Sequence, residues 1–225
     1  MEVPPERLVS WIVTFTERHG GPLAVSYAQP AATVTFTATD GAVAECHVPF
    51  PPLPTGPEAR AAAEAIAAHA AADRTVGVLL VRLGGYAVGV FSGAPPGLGP
   101  SKIGRRLVHG RSAAGGWSQH RFARRRENQA SAALGAAADA AAGIFAPYGA
   151  GGLDAVVLGG DKRSIAGLRD DARLAPYLSR ATDRFLTVPD PSPAVLRGIP
   201  SAYQAIRIRL TEPEPDGPPR AGHVQ

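Results

Sequence analysis

The side chains best suited to chemistry lie in one glycine-rich stretch of the 225-residue chain, Gly110-Arg111-Ser112-Ala113-Ala114-Gly115-Gly116-Trp117-Ser118-Gln119-His120-Arg121-Phe122. Gly115 and Gly116 can take positive φ and approach another backbone closely. Gln119 follows them with a neutral amide, which cannot act as a base but can orient a water and donate to a developing oxyanion. Positioning alone can supply about 7–11 kcal/mol of a barrier, so a hydrolysis here needs no charged catalyst.

Positive charge is concentrated around this stretch. Eight of the 23 Lys and Arg residues lie between positions 102 and 126, where no Asp or Glu occurs. They are Lys102, Arg105, Arg106, Arg111, Arg121, Arg124, Arg125 and Arg126. The rest of the chain has a net charge of −4, whereas this segment carries +8 and attracts polyphosphates. We expect it to bind RNA, with Trp117 stacking on a base; the alternative is a solvated helix face, although such faces usually mix both signs.

Local patterns place the stretch between a basic strand and a long helix. Lys102–His109 is predicted to be the strand, and residues 110–117 a flexible loop. From about Ser118 to Phe145 the pattern predicts the longest helix, because its apolar residues are spaced along one face. These residues are Ala130, Leu134, Ala137, Ala141 and Ile144. The helix would therefore carry arginines at its start and pack on the core at its end.

The remaining elements predict an α+β or α/β domain with a mixed, largely antiparallel sheet flanked by helices. Helices are expected over about 5–18 and 58–72 and strands over 23–27, 33–37, 42–48, 76–82, 86–91, 153–158, 184–188 and 205–210. We expect one catalytic domain over residues 1–211, with the basic loop and helix at 102–129. Residues 212–225 are rich in Pro, Glu and Gly and are expected to form a disordered tail.

Composition excludes several classes of protein. We expect no signal peptide, and the sequence has no run of about 20 apolar residues, so we expect a cytoplasmic protein without a membrane segment. Cys46 is the single cysteine, which excludes an internal disulfide and a multi-cysteine zinc site. No cofactor and no metal are expected, DNA is not an expected partner, and the chain is expected to be a monomer.

The stretch Gly115-Gly116-Trp117-Ser118-Gln119-His120-Arg121-Phe122-Ala123-Arg124-Arg125-Arg126-Glu127-Asn128-Gln129 resembles the catalytic loop and helix of actinobacterial Vms-type release-factor-like proteins. These are relatives of the middle domain of eukaryotic and archaeal class I release factors, which implies an RNase H-like fold. The resemblance implies a stop-codon-independent factor that frees stalled nascent chains from tRNA on the large ribosomal subunit. It makes Gln119 catalytic within the frame of Gly115 and Gly116. Arg121, Arg124, Arg125 and Arg126 would contact tRNA and rRNA.

The stretch departs from true release factors, in which glutamine directly follows the two glycines. Here Trp117 and Ser118 intervene, which allows a different bond to be cut, and some relatives cut the tRNA near its 3′ end. Three functions therefore stay open: a peptidyl-tRNA hydrolase, a tRNA 3′-end nuclease, and a non-catalytic module that binds rRNA or tRNA. The expected partners are large-subunit rRNA and peptidyl-tRNA.

For each of the other candidate residues, a purely structural role is an alternative to the functional one. Ser118 could be a nucleophile, but the second glycine of that motif is absent. His109 and His120 could act as a base or contact phosphate, although nearby arginines favour the neutral ring. The stretch Gly159-Gly160-Asp161-Lys162-Arg163 could hold a phosphate or form a plain turn. Glu45-Cys46-His47 alternates along a strand, which indicates a structural role.

Overall fold

The structure, a computed structural model, describes residues 1–28, 32–53, 59–82, 85–105 and 118–213, except for the side chains of residues 59 and 118–130. The chain divides into two compact units. Unit 1 comprises Met1–Ala70 and the segment that begins at Gln204, and unit 2 comprises Ala71–Tyr203. The single domain over residues 1–211 and the tail over 212–225 stay predictions.

Unit 1 is built on a five-stranded antiparallel sheet whose strand order is β1-β10-β4-β3-β2. The strands are β1 (Glu2–Val3), β2 (Ala24–Ala28), β3 (Thr33–Thr37), β4 (Val43–His47) and β10 (Ile206–Thr211). Phe36 and Cys46 point from one face into a core formed with helices α1 (Pro5–His19) and α2 (Ala59–Ala71). Alternate residues such as Thr35 lie on the other face, as the two-residue period of a strand requires.

Local sequence explains where the elements of unit 1 begin and turn. Pro5 opens α1, whose Leu8, Ile12 and Phe15 are buried at helical spacing. Between β3 and β4, Gly41 takes a φ of +91° and the Asp40 carboxylate accepts the Ala42 N–H at 2.9 Å. Asp40 and Gly41 therefore form the turn of the β3–β4 hairpin.

Unit 2 is built on a second five-stranded sheet, with the order β7-β6-β5-β8-β9. Its strands are β5 (Val76–Arg82), β6 (Gly85–Ser92), β7 (Gly97–Arg105), β8 (Ala155–Gly160) and β9 (Ala181–Leu186). β5, β8 and β9 run parallel, while β6 is antiparallel to both β5 and β7. β5 and β6 are buried almost throughout, as in sheets covered on both faces.

Helices cover both faces of the sheet in unit 2. On one face, α3 (Ser118–Phe145), α4 (Lys162–Leu168) and α5 (Ala175–Leu178) share a core with side chains of β5, β6 and β8. On the other face, α6 (Pro193–Gln204) brings Tyr203 edge-on to Phe91, with ring centroids 6.3 Å apart. No helix in the described part of the chain is long and apolar enough to cross a bilayer.

The α+β class and the bounds predicted for α3 are confirmed, while the number of sheets and the bounds of the basic strand differ from the prediction. The strands form two sheets, whereas one was expected. The basic strand was predicted over residues 102–109, yet β7 begins at Gly97 and ends at Arg105, and residues 106–109 lie outside the described residues. β7 is an edge strand with an irregularity opposite Val90, so it accommodates Pro100.

Candidate functional site

Four strands of unit 2 end at the same edge of the sheet. β5 and β8 are parallel, so their ends at Arg82 and Gly160 are neighbours, and β9 ends beside β8 at Leu186. β7 also ends there, at Arg105, because two successive antiparallel pairings relate it to β5. We call this the carboxyl edge. Open sheets with parallel strands bind ligands outside such an edge, so the connections that leave it are where a site is expected.

The predicted catalytic segment leaves the carboxyl edge. β7 ends at Arg105 and α3 begins at Ser118, so residues 106–117 join the two. Several predicted residues lie outside the described residues, namely Arg106, His109, Arg111, Gly115, Gly116 and Trp117. Others lie on the helical backbone of α3 with side chains that are not described, namely Ser118, Gln119, His120, Arg121, Arg124, Arg125 and Arg126. The described structure therefore gives the two attachment points of the segment.

Helix α3 is about twice as long as the strands that it covers. Its 28 residues span about 42 Å, whereas the seven residues of β5 span about 23 Å. The ring of Phe145, at the end of α3, lies against Gly77 near the start of β5. Among its described side chains, burial begins at Ala133. The C-terminal half thus covers the sheet, and the helix has about 20 Å of further length toward Gln119.

Two predicted RNA-binding residues are described, and they lie on opposite faces of β7. Lys102 is paired with Val88, which belongs to the core beneath α3. Arg105 is paired with Gly85, and its Nη2 lies 3.5 Å from Asp190 Oδ2. Successive side chains of a strand alternate between faces, so positions 102 and 105 diverge. Cations therefore flank the start of the catalytic segment on both sides of the sheet.

Arg82 and Asp190 also belong to this region, and sequence reasoning missed both. The Arg82 Nη1 donates to the Val188 carbonyl at 2.8 Å, and its Nε lies 3.7 Å from Asp190 Oδ1. Asp190 thus contacts both Arg82 and Arg105, linking the β9–α6 connection to the ends of two strands. An arginine at the end of an apolar strand was a usable signal for Arg82. No local pattern marks Asp190.

The turn after β8 lies at the same edge. Gly160 has a φ of +103° and lies against the Val81 carbonyl, which leaves no room for a side chain. The next N–H, of Asp161, donates to that carbonyl at 2.8 Å. The Asp161 carboxylate accepts the Ser164 hydroxyl and the backbone N–H groups of Ser164 and Arg163, and these bonds lower its pKa. A carboxylate already satisfies the start of α4, which favours the plain turn over a phosphate-binding helix end.

The stretch Glu45-Cys46-His47 has the contacts of a structural strand. Cys46 is buried, and burial raises the pKa of its thiol to about 12. His47 Nδ1 lies 3.1 Å from Thr33 Oγ1, and Glu45 lies 3.8 Å from Arg209 Nη1. Across the described ranges, no three His, Cys, Asp or Glu residues are grouped as metal ligands would be.

Comparison with known proteins identifies one family. The family model described as Actinobacteria/chloroflexi VLRF1 release factor matches residues 74–209, which is more than half of the chain. The match spans β5 to β9 and α3 to α6, together with the segment between β7 and α3. No curated protein matches the sequence.

Proposed function

This chain belongs to the Actinobacteria/chloroflexi VLRF1 release factor family, and from that membership we propose that it hydrolyses peptidyl-tRNA on the large ribosomal subunit without reading a stop codon. One observation carries the proposal. The family match includes the stretch in which Gly115 and Gly116 precede Gln119 between β7 and α3. The basic segment from Lys102 to Arg126 supplies the charge that RNA binding needs. The substrate is a nascent chain that has stalled on tRNA.

In the proposed reaction, Gln119 orients a water against the ester carbonyl of peptidyl-tRNA. The water oxygen bonds to the carbonyl carbon, and the Gln119 amide and nearby backbone N–H groups stabilise the oxyanion that develops. The intermediate then collapses, the bond between the carbonyl carbon and the terminal ribose oxygen breaks, and that oxygen takes one proton of the attacking water and leaves as a hydroxyl. The second proton of that water passes to solvent. The peptide leaves as a carboxylate. No ionisable protein group is required, because the amide acts by position and by hydrogen bonding.

The α3 helix supports this proposal through its length. A group at Gln119 lies about 20 Å along the helix from Ala133, the first buried residue among the described side chains of α3. A narrow element of this kind can enter a confined site within a large RNA while the rest of the protein stays outside. Arginines at positions 121 and 124–126 follow on the same helix and provide contacts to phosphates.

The proposal is tested by changing Gln119→Ala and measuring single-turnover release of a labelled nascent chain from stalled large subunits. We expect release to slow by about 10²–10³-fold, as for the loss of one oxyanion donor. Co-sedimentation with the subunits should be unchanged. Gln129→Ala, the same substitution later in the same helix, is the matched control and should release at the parent rate. If Gln119→Ala released peptide at the parent rate, the catalytic role would be contradicted and only the non-catalytic binding function would remain.

A tRNA 3′-end nuclease is the second candidate, because Trp117 and Ser118 separate the glycines from Gln119. The two reactions leave different ends on the tRNA. Ester hydrolysis leaves a complete tRNA that can be aminoacylated again without repair. Cleavage near the 3′ end leaves a shortened tRNA, which must be rebuilt before it accepts an amino acid, and a peptide that still carries nucleotides.

A further inference from the structure

The carboxyl edge of unit 2 carries cations beyond the segment from 102 to 126. Arg82 ends β5, and Lys162 and Arg163 begin α4 directly after the turn that follows β8. We call these three residues the edge cluster. The pairing of Val81 with Gly160 places Arg82 next to this turn. With strands about 4.8 Å apart, the cations from Arg105 on β7 to the turn after β8 spread over about 14 Å.

Lys162 and Arg163 present their charges to solvent. Both are exposed, and among the described residues neither side-chain cation forms an ion pair with a carboxylate within 4 Å, although the Arg163 charge helps to lower the pKa of Asp161. The Lys162 ammonium lies over the Phe185 ring, 5.7 Å from its centroid. Two carboxylates of this edge are already engaged, since Asp161 caps α4 and Asp190 contacts Arg82 and Arg105. Four cations and two carboxylates leave the edge with a net charge of +2.

The opposite edge of the same sheet has no such excess. Asp73 and Arg74 precede β5, Asp154 precedes β8 and Arg180 precedes β9, so these charges cancel. Asp73 and Asp154 accept the backbone N–H groups of Gly93 and Thr75, each at 2.7 Å. The potential of the sheet is therefore polarised toward the carboxyl edge, where the predicted catalytic segment is attached.

We infer that the edge cluster binds backbone phosphates of the tRNA whose 3′ end reaches Gln119. The inference rests on the proposed function and extends it to residues outside the predicted basic segment. The tRNA strand whose 3′ end lies at Gln119, at the start of α3, would continue along α3. The edge cluster lies at the carboxyl edge, toward which that path leads. Exposed lysine and arginine side chains bind phosphates without reading sequence. The backbone N–H groups at the start of α4 take no part, because the Asp161 carboxylate accepts those of Arg163 and Ser164.

The test compares two double variants that remove the same charge, one from the edge cluster and one from other exposed positions of unit 2. Lys162→Gln/Arg163→Gln changes the edge cluster, and Arg169→Gln/Arg180→Gln changes two exposed arginines away from that edge. Affinity for deacylated tRNA is measured over a series of KCl concentrations. We expect the edge variant to reduce the slope of log K against log [KCl] by about 1.4–1.8, which is two phosphate contacts. The control variant and Lys162→Arg should keep the parent slope.

Equal slopes for the two double variants would overturn the inference. It is also overturned if the slope for tRNA is unchanged while that for vacant large subunits falls, because rRNA would then be the occupant. Thermal unfolding checks that each variant folds. If the double edge variant does not fold, Arg163→Gln alone is used, and it should reduce the slope of log K against log [KCl] by about 0.7–0.9. The proposed function fails separately: Gln119→Ala would release peptide at the parent rate while the edge variant still lost its tRNA slope.

Discussion

Single side chains determine the geometry of the carboxyl edge. Gly160 is required because its φ is positive and the Val81 carbonyl occupies the space a side chain would need. Asp161 follows it and makes three hydrogen bonds to the first turn of α4, which keeps Lys162 at the surface of the edge. In this short turn Gly160 thus allows the close approach to β5, Asp161 caps α4, and Lys162 stays at the surface.

Replacing the cap, Asp161→Ala, should lower the free energy of unfolding by about 1 kcal/mol, because the first N–H groups of α4 lose their acceptor. The effect depends on pH. Hydrogen bonds, first that from the Ser164 hydroxyl, lower the pKa of Asp161 in the folded state. A depressed carboxyl pKa gives stability that is present above the unfolded value of about 3.9 and is lost as pH falls through the folded value.

Urea unfolding at pH 7 and at pH 2.5 measures this dependence. The difference between the parent and Asp161→Ala should be full at pH 7 and smaller at pH 2.5. Asp170→Ala is the control, since Asp170 is exposed at the end of α4 and caps no helix. A difference that stays constant between the two pH values would show that the charged carboxylate is not what stabilises the turn.

At the scale of elements, the sequence predicted those whose local pattern is strong. α3 was predicted with its observed bounds because apolar residues recur along one face, and β5 was predicted over Val76–Arg82 because the run is continuously apolar. β7 was predicted poorly, since an edge strand with one open side tolerates Gly and Pro that would break an inner strand. Asp190 is distant in sequence from both Arg82 and Arg105, so no local pattern encodes its contacts with them.

The end of β7 depends on a close approach that only glycine allows. A Cβ on Gly104 would lie 2.5 Å from atoms of the Tyr86 ring, which is buried opposite it. Gly104→Ala should therefore reduce the free energy of unfolding by about 1–3 kcal/mol. Because Arg105 and the catalytic segment follow directly, peptide release should fall more than the stability loss alone would explain. Urea unfolding and single-turnover release are the two measurements.

Gly135→Ala is the control, and it should change the free energy of unfolding in the opposite direction. Gly135 lies in the middle of α3, and a Cβ there meets nothing within 4 Å. Alanine should increase the free energy of unfolding by about 0.8–1 kcal/mol, because glycine is the poorer helix former. Release should stay at the parent rate. If Gly104→Ala instead unfolded at the parent urea concentration, the contact with Tyr86 would not constrain the end of β7.

At the scale of the whole molecule, charge is divided unevenly along the chain. The net charge is +4, yet the segment from Lys102 to Arg126 carries +8 and the remainder −4. The family match includes this segment and leaves the first 73 residues outside. Unit 1 has its own sheet and core, built on α1 and α2. We therefore propose that RNA binding depends on the segment from Lys102 to Arg126 and not on the overall basic character of the chain.

Two triple variants with the same net charge test whether RNA binding depends on the basic segment or on the overall charge of the chain. Arg124→Gln/Arg125→Gln/Arg126→Gln removes three charges from the basic segment, and Arg7→Gln/Arg18→Gln/Arg60→Gln removes three exposed charges from unit 1. Ribosome binding is measured against KCl concentration. The first variant should reduce the slope of log K against log [KCl] by about 2.1–2.7, because three phosphate contacts are lost, and the second should not change it. Equal slopes for both variants would mean that binding follows net charge alone, and α3 would then have no special place in RNA binding.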